Sequence, residues 1–123
     1  RILIVEDEAP IRSLLEQTLE ELENYGVAVK SAPDGEQGLE LIRRWRPDLV
    51  FLDIMMPGMD GYEVCRAVKE DRDLADTVIV LLTAKGQDTD RQEAMRAGAD
   101  DFLTKPFSPK KLLARIREIL AAH

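Results

Sequence analysis

Histidine is almost missing from this chain: the single one is His123, the last of 123 residues. A mechanism that needs an imidazole base or ligand inside the fold is therefore nearly excluded. Cysteine is equally scarce. One thiol, Cys65, rules out an internal disulfide, and its place beside Val64 and Val68 in a helical pattern marks it as a small core residue. A reducing, cytoplasmic location fits that usage. No apolar stretch approaches the roughly 18 residues of a membrane helix, so no membrane association is expected. No signal peptide is visible, because Arg1 leads at once into Ile2-Leu3-Ile4-Val5. A start without Met suggests a chain trimmed or cut from something longer. There is no P-loop and no G-x-G-x-x-G, hence no evident ATP or dinucleotide site. Basic charge is also in deficit. Lys and Arg number 17 against 24 Asp and Glu, a formal net charge of -7, so direct binding of nucleic acid by this domain is not expected.

What is present is a core. Hydrophobic residues make up 45% and charged residues 33%, the mixture of one globular domain covering residues 1–123. Continuous apolar runs stand at Ile2–Val5, Leu49–Leu52 and Val78–Leu82, with shorter ones at Val27–Val29 and Phe102–Leu103. Such runs predict strands buried on both faces, as in a parallel sheet. Helical spacing fills the gaps. It is carried first by Ile11, Leu14, Leu15, Leu19 and Leu22, and next by Leu39 and Ile42, which must stop before Pro47. Tyr62, Val64, Cys65 and Val68 mark a third helix. Asp88 to Ala97, closed by Gly98, marks a fourth, and Leu112 to Leu120, opened by Ser108-Pro109, a fifth. Strand and helix alternate five times, which predicts an α/β fold with a right-handed, doubly wound sheet.

The residue after each run carries the chemistry. Glu6, Asp7 and Glu8 follow the first, Asp53 ends "LVFLD", Thr83 follows "VIVLL", and Thr104 and Lys105-Pro106 follow the last. Open parallel sheets bind ligands beyond the carboxyl ends of their strands, so these groups are predicted to converge. Asp7, Asp53 and Glu6 would repel one another in a shared pocket, and a cation relieves this. All-oxygen donors favour a hard ion such as Mg2+. Lys105 adds a positive charge and Thr83 a donor, a set suited to an anion with several oxygens. A carboxylate can act as nucleophile, so the implied reaction is transfer of a phosphoryl group onto Asp53 from another molecule.

With "ILIVEDE", "PDLVFLDIMMPGMDGYEV", "VIVLLTA" and "AGADDFLTKPF" the sequence resembles the receiver domain of a two-component response regulator, over essentially its whole length. The resemblance implies a flavodoxin-like fold: a five-stranded parallel sheet of order 2-1-3-4-5 flanked by five helices. It implies a phosphorylation-activated switch rather than an enzyme acting on other molecules. Asp53 would be the phosphoacceptor, served by a histidine kinase or phosphotransfer protein. Glu6, Asp7, Asp53 and the backbone carbonyl of Met55 would hold Mg2+. Thr83, Lys105 and Phe102 would be the switch residues, and Pro106 would follow a cis peptide bond. Side chains at Met55 and Lys85 would flank the water that hydrolyses the acyl phosphate. "GADDFLTKPFSPKKLLARI" looks most like receivers joined to winged-helix DNA-binding domains (the OmpR/PhoB type), implying a role in transcription regulation. Those dimerise on phosphorylation through a face to which Arg91, Asp100, Asp101, Arg115 and Arg117 would contribute. Lys111 departs from that pattern, where a Glu is usual. Two other readings fit less well. A haloacid-dehalogenase-type phosphatase expects a second Asp where Met55 stands, and a purely structural pseudo-receiver would have lost acids or the Lys.

Overall fold

The structure, a computed structural model, describes residues 1–84, 88–105 and 108–122. Five strands and five helices alternate: β1 (Ile2–Val5), α1 (Ala9–Glu23), β2 (Val29–Ala32), α2 (Gly35–Trp45), β3 (Leu49–Asp53), α3 (Gly61–Glu70), β4 (Val78–Thr83), α4 (Asp88–Arg96), β5 (Asp101–Thr104) and α5 (Pro109–Ala122). All strand pairs are parallel, in the order β2-β1-β3-β4-β5. The expected α/β architecture and strand order are therefore those of the molecule.

Side-chain alternation explains why the central strands read as unbroken apolar runs. Leu3, Val5, Val50, Leu52, Ile79 and Leu81 face α2, α3 and α4, where they meet Leu39, Ile42, Val64, Cys65, Val68 and Ala94. Ile2, Ile4, Leu49, Phe51, Val80 and Leu82 point the other way, onto Leu15, Leu19 and Leu22 of α1 and Leu112, Ile116 and Ile119 of α5. Each face is covered, so neither can be polar. Truncating one of these buried Leu or Ile side chains to Ala costs about 2–5 kcal/mol.

The edge strand departs from the sequence-based expectation. Val27–Val29 was the predicted run, yet β2 spans Val29–Ala32. Val27 belongs instead to the turn after α1, its N–H reaching Leu22 O at 3.3 Å beside Gly26 at φ 84°. Pairing of Ile2 with Val29 and Val5 with Ala32 sets the strand. Exposure of Lys30 at the sheet edge hides it from a search for apolar runs.

Helix starts are fastened chemically. Asp34 caps α2 by accepting from Gln37 N–H at 2.8 Å. At α3, Asp60 and Glu63 form a reciprocal capping box. The next residue, Gly61, sits so close to the end of β3 that a Cβ there would collide with the Asp53 carbonyl oxygen and lie 2.8 Å from Ile54 Cα. Only glycine lets α3 begin directly against the strand that carries Asp53. Gly38 likewise brings α2 against Val5, where a Cβ would meet the Val5 methyls at 2.8 Å.

Candidate functional site

Three of the groups singled out at strand ends meet through their side chains, Glu6, Asp53 and Lys105, and Thr83 joins them through its backbone carbonyl. Glu6 follows β1, Asp53 ends β3, Thr83 ends β4 and Lys105 follows β5, and the first three are 0%, 4% and 5% exposed. Lys105 Nζ donates to Glu6 Oε1 at 2.7 Å and to Asp53 Oδ1 at 3.1 Å. The Lys105 N–H donates to Thr83 O at 2.7 Å, closing the β5 end of the pocket against β4. Glu6 is doubly engaged, because its Oε2 also accepts from Glu8 N–H at 3.2 Å. Asp7 is different. Its Oδ1 is buried and has no hydrogen-bond partner among the described residues.

Electrostatics reflect crowding. Glu6, Asp7 and Asp53 each present an oxygen within 4.8 Å of the others. Burial pushes the Asp53 carboxyl up from its ordinary 3.8 to about 7; a hydrogen bond and the negative charge of Glu6 push the same way, and Lys105 opposes them. Burial by itself would lower Lys105, but its bond to Glu6 and the charges of Asp53 and Glu6 outweigh that and leave it above the usual lysine value. Two of the three acids, Glu6 and Asp53, share the Lys105 ammonium. A buried carboxylate oxygen without a donor beside two more carboxylates is a donor set that a hard cation such as Mg2+ fits. A cavity of about 560 Å³ lies elsewhere. It lies against Arg46–Asp48, Leu74, Thr77 and Ile119, and none of the four strand-end groups lines it.

The remaining expected residues follow β3, lie on or beside α4, β5 and α5, or fall outside the described residues. The Met55 side chain, two residues past Asp53, is 77% exposed. Phe102 is half-buried on β5, with the Arg91 guanidinium 5.1 Å from its ring centre. Asp101 pairs within the chain, accepting from Arg115 Nε at 2.6 Å, while Arg115 also holds Glu118 at 2.8 Å. Asp100 is engaged within the chain too. Its Oδ2 accepts from Lys69 Nζ at 2.8 Å and from Ile79 N–H at 2.9 Å. Arg117 and Lys111 are exposed, and Ser108 caps α5 by accepting from Lys111 N–H at 3.4 Å. Pro106 and Lys85 lie outside the described residues.

Lys69 escaped the sequence reading. Its ammonium also binds Thr77 O at 2.6 Å and Ala75 O at 3.1 Å, so it fastens α3 to the α3–β4 turn and to the residue before β5. In sequence it is one lysine in the last turn of a helix, where cations ordinarily complement the macrodipole. No pattern distinguishes it.

A family model described as the response regulator receiver domain matches residues 2–117. The chain belongs to that family. It is a receiver domain of two-component signalling, a family of signalling switches rather than of classical enzymes. A probable transcriptional regulator, ycf27 of Guillardia theta, is 48% identical to it over 120 residues, 98% of this chain and 45% of that protein. The receiver spans just under half the length of the curated relatives it matches. Among solved structures, the Thermotoga maritima OmpR/PhoB homologue DrrB is 34% identical with a TM-score of 0.81, over 98% of this chain and 52% of that one. The receiver domain of sensor histidine kinase PA1611 from Pseudomonas aeruginosa, solved with a magnesium ion coordinated in its active-site cleft, is 30% identical. Its TM-score is 0.87, over 98% of this chain and 96% of that one. Among the described residues no helix is long and apolar enough to cross a membrane.

Proposed function

We propose that this receiver takes a phosphoryl group onto Asp53 from the phosphohistidine of a partner histidine kinase or phosphotransfer protein. The observation that carries this is Asp53 itself: a carboxylate 4% exposed at a strand end, 3.1 Å from a lysine ammonium and beside two further acids. An Asp53 oxygen forms the new O–P bond as the N–P bond of the donor breaks, and the imidazole nitrogen takes the electron pair and regains a proton from water. Lys105, already aimed at Asp53, pairs with the incoming phosphoryl oxygens. Glu6, Asp7, Asp53 and the Met55 carbonyl would hold Mg2+, which when bound supplies positive charge for the crowded acids and the phosphoryl oxygens. The magnesium in the PA1611 receiver supports that assignment.

Output follows from the added charge, about -1.5 to -2 at neutral pH. Thr83 donates to a phosphoryl oxygen, Phe102 turns toward the space it leaves, and the α4–β5–α5 face changes shape for an effector domain or a second copy. Arg91, Asp101, Lys111, Arg115 and Arg117 lie on that face, and Asp100 borders it. Kinship with transcriptional regulators points to transcription as the output and the cytoplasm as the location.

The test is labelling by acetyl phosphate. Wild type is expected to form an acyl phosphate that needs Mg2+, and Asp53→Asn and Asp7→Asn to form none. Equal labelling of wild type and Asp53→Asn overturns the assignment. Steady turnover of the phosphodonor would indicate a phosphatase, and no reaction at all a structural module.

A further inference from the structure

The acid pocket has a structural problem that its own carboxylates cannot solve. Glu6 and Asp7 sit in a loop whose charges repel each other and Asp53, so the loop must be held in place. The start of α1 does not hold it in the usual way. Glu8 is the N-cap residue, yet its side chain makes no capping hydrogen bond, and the first turn contains Pro10. The loop before the helix is therefore left for another group to hold.

Arg12 takes that role. From the first turns of α1 its half-buried guanidinium reaches back and donates from Nη1 to the Glu6 carbonyl at 2.8 Å. Its own backbone N–H donates to Glu8 O at 2.9 Å. Glu8 N–H donates to the Glu6 carboxylate, and Glu6 N–H to Ala32 O of β2 at 3.1 Å. Both sides of Asp7 are thereby tied, through Glu6 and Glu8, while Asp7 Oδ1 is left buried without a partner among the described residues. A guanidinium keeps its charge at any working pH, so the tie persists whatever the acids do.

We infer that Arg12 is a positioning residue for the cation site: it clamps the Glu6–Glu8 loop and so keeps Asp7 aimed inward beside Asp53 and ready for Mg2+. The inference rests on the metal assignment proposed above and goes beyond it by naming the group that preorganises the site. Residues that orient ligands from behind typically change metal affinity by about 10- to 100-fold when removed.

The experiment titrates MgCl2 into the metal-free chain and follows backbone amide shifts, with thermal melts in EDTA measured alongside. Arg12→Met keeps the apolar stem and deletes the donors. It is expected to weaken Mg2+ binding about tenfold or more in protein that remains folded. Arg12→Lys should fall between it and wild type, because an ammonium can restore one bond to Glu6 O. A purely structural role would lower the melting temperature in EDTA and leave the dissociation constant of the folded protein unchanged. Equal Mg2+ affinity in wild type and folded Arg12→Met overturns the clamp and leaves the metal assignment standing. Absence of Mg2+ binding by wild type overturns both. If Arg12→Met does not fold, equal affinity of Arg12→Lys and wild type overturns the clamp.

Discussion

Lys69→Met is the perturbation whose size can be worked most directly from the geometry. Methionine keeps the apolar stem and removes only the ammonium. Lost with it are bonds to Thr77 O at 2.6 Å and Ala75 O at 3.1 Å, and the pair with Asp100 at 2.8 Å. Hydrogen bonds to a charged group contribute about 1.5–3 kcal/mol each when sheltered, and exposed ion pairs about 0–1. The Lys69 side chain is 17% exposed but that of Asp100 is 41%, so the two carbonyl bonds dominate and the pair counts at the low end. Part of the loss returns through water reaching the carbonyls. The expected cost is about 2–4 kcal/mol, or roughly 10 °C in melting temperature for a domain of this length. Urea unfolding with an unchanged slope would measure it. The double mutant with Asp100→Ala should be less than additive, since the partners share one bond; Asp100→Ala alone also frees Ile79 N–H. A Lys69→Met cost within about 0.5 kcal/mol of zero, the range of an ordinary surface change, would refute the reasoning.

Three further outcomes are expected. Asp53, held at about 7 without metal, stabilises the fold fully below its unfolded value of 3.8, and that contribution is lost as pH rises through about 7; melting temperatures in EDTA should therefore carry a downward component from about pH 5 to pH 8 that Mg2+ removes, and identical pH profiles with and without Mg2+ would count against it. Met55 cannot orient a water as an amide can, so phosphoryl loss should be slow in wild type and faster in Met55→Asn; unchanged decay of the labelled protein would sink this. Lys111→Glu should complete a capping box with Ser108, add about 0.3–1 kcal/mol of helix stability, and replace repulsion with attraction toward Arg91 of a second copy. Sedimentation of the beryllofluoride-treated protein checks the last, and tight dimers of wild type unaffected by the change would disprove it.

The layered fold was legible because both faces of its central strands are buried. Ile2–Val5 and Leu49–Leu52 lie inside the observed strands, and the polar groups after them converge as expected. Legibility failed where contacts between distant residues decide the outcome. β2 is placed by its pairing with β1, and Lys30 at its edge packs on the Trp45 ring at 5.0 Å, a partnership invisible in local hydropathy. Lys69 and Arg12 are single cations on amphipathic helices. Their partners are chiefly backbone carbonyls, which every residue carries and no pattern marks. Asp100 and Asp101 stand out in the sequence only as candidates for a dimer face, and the fold shows each holding a cation of its own chain.

The bond from Lys105 to Glu6 joins residues 99 positions apart. A growing chain releases Glu6 and Asp7 before Asp53, and Asp53 before Lys105. Until β5 docks beside β4, Glu6 and Asp53 lack the Lys105 ammonium, and the loop that must close to bring it is nearly the whole domain. A chain halted before β5 would carry the acceptor without its counter-charge. On the proposed role of Asp53, competence to hold a phosphoryl group would be tied to completion of the sheet.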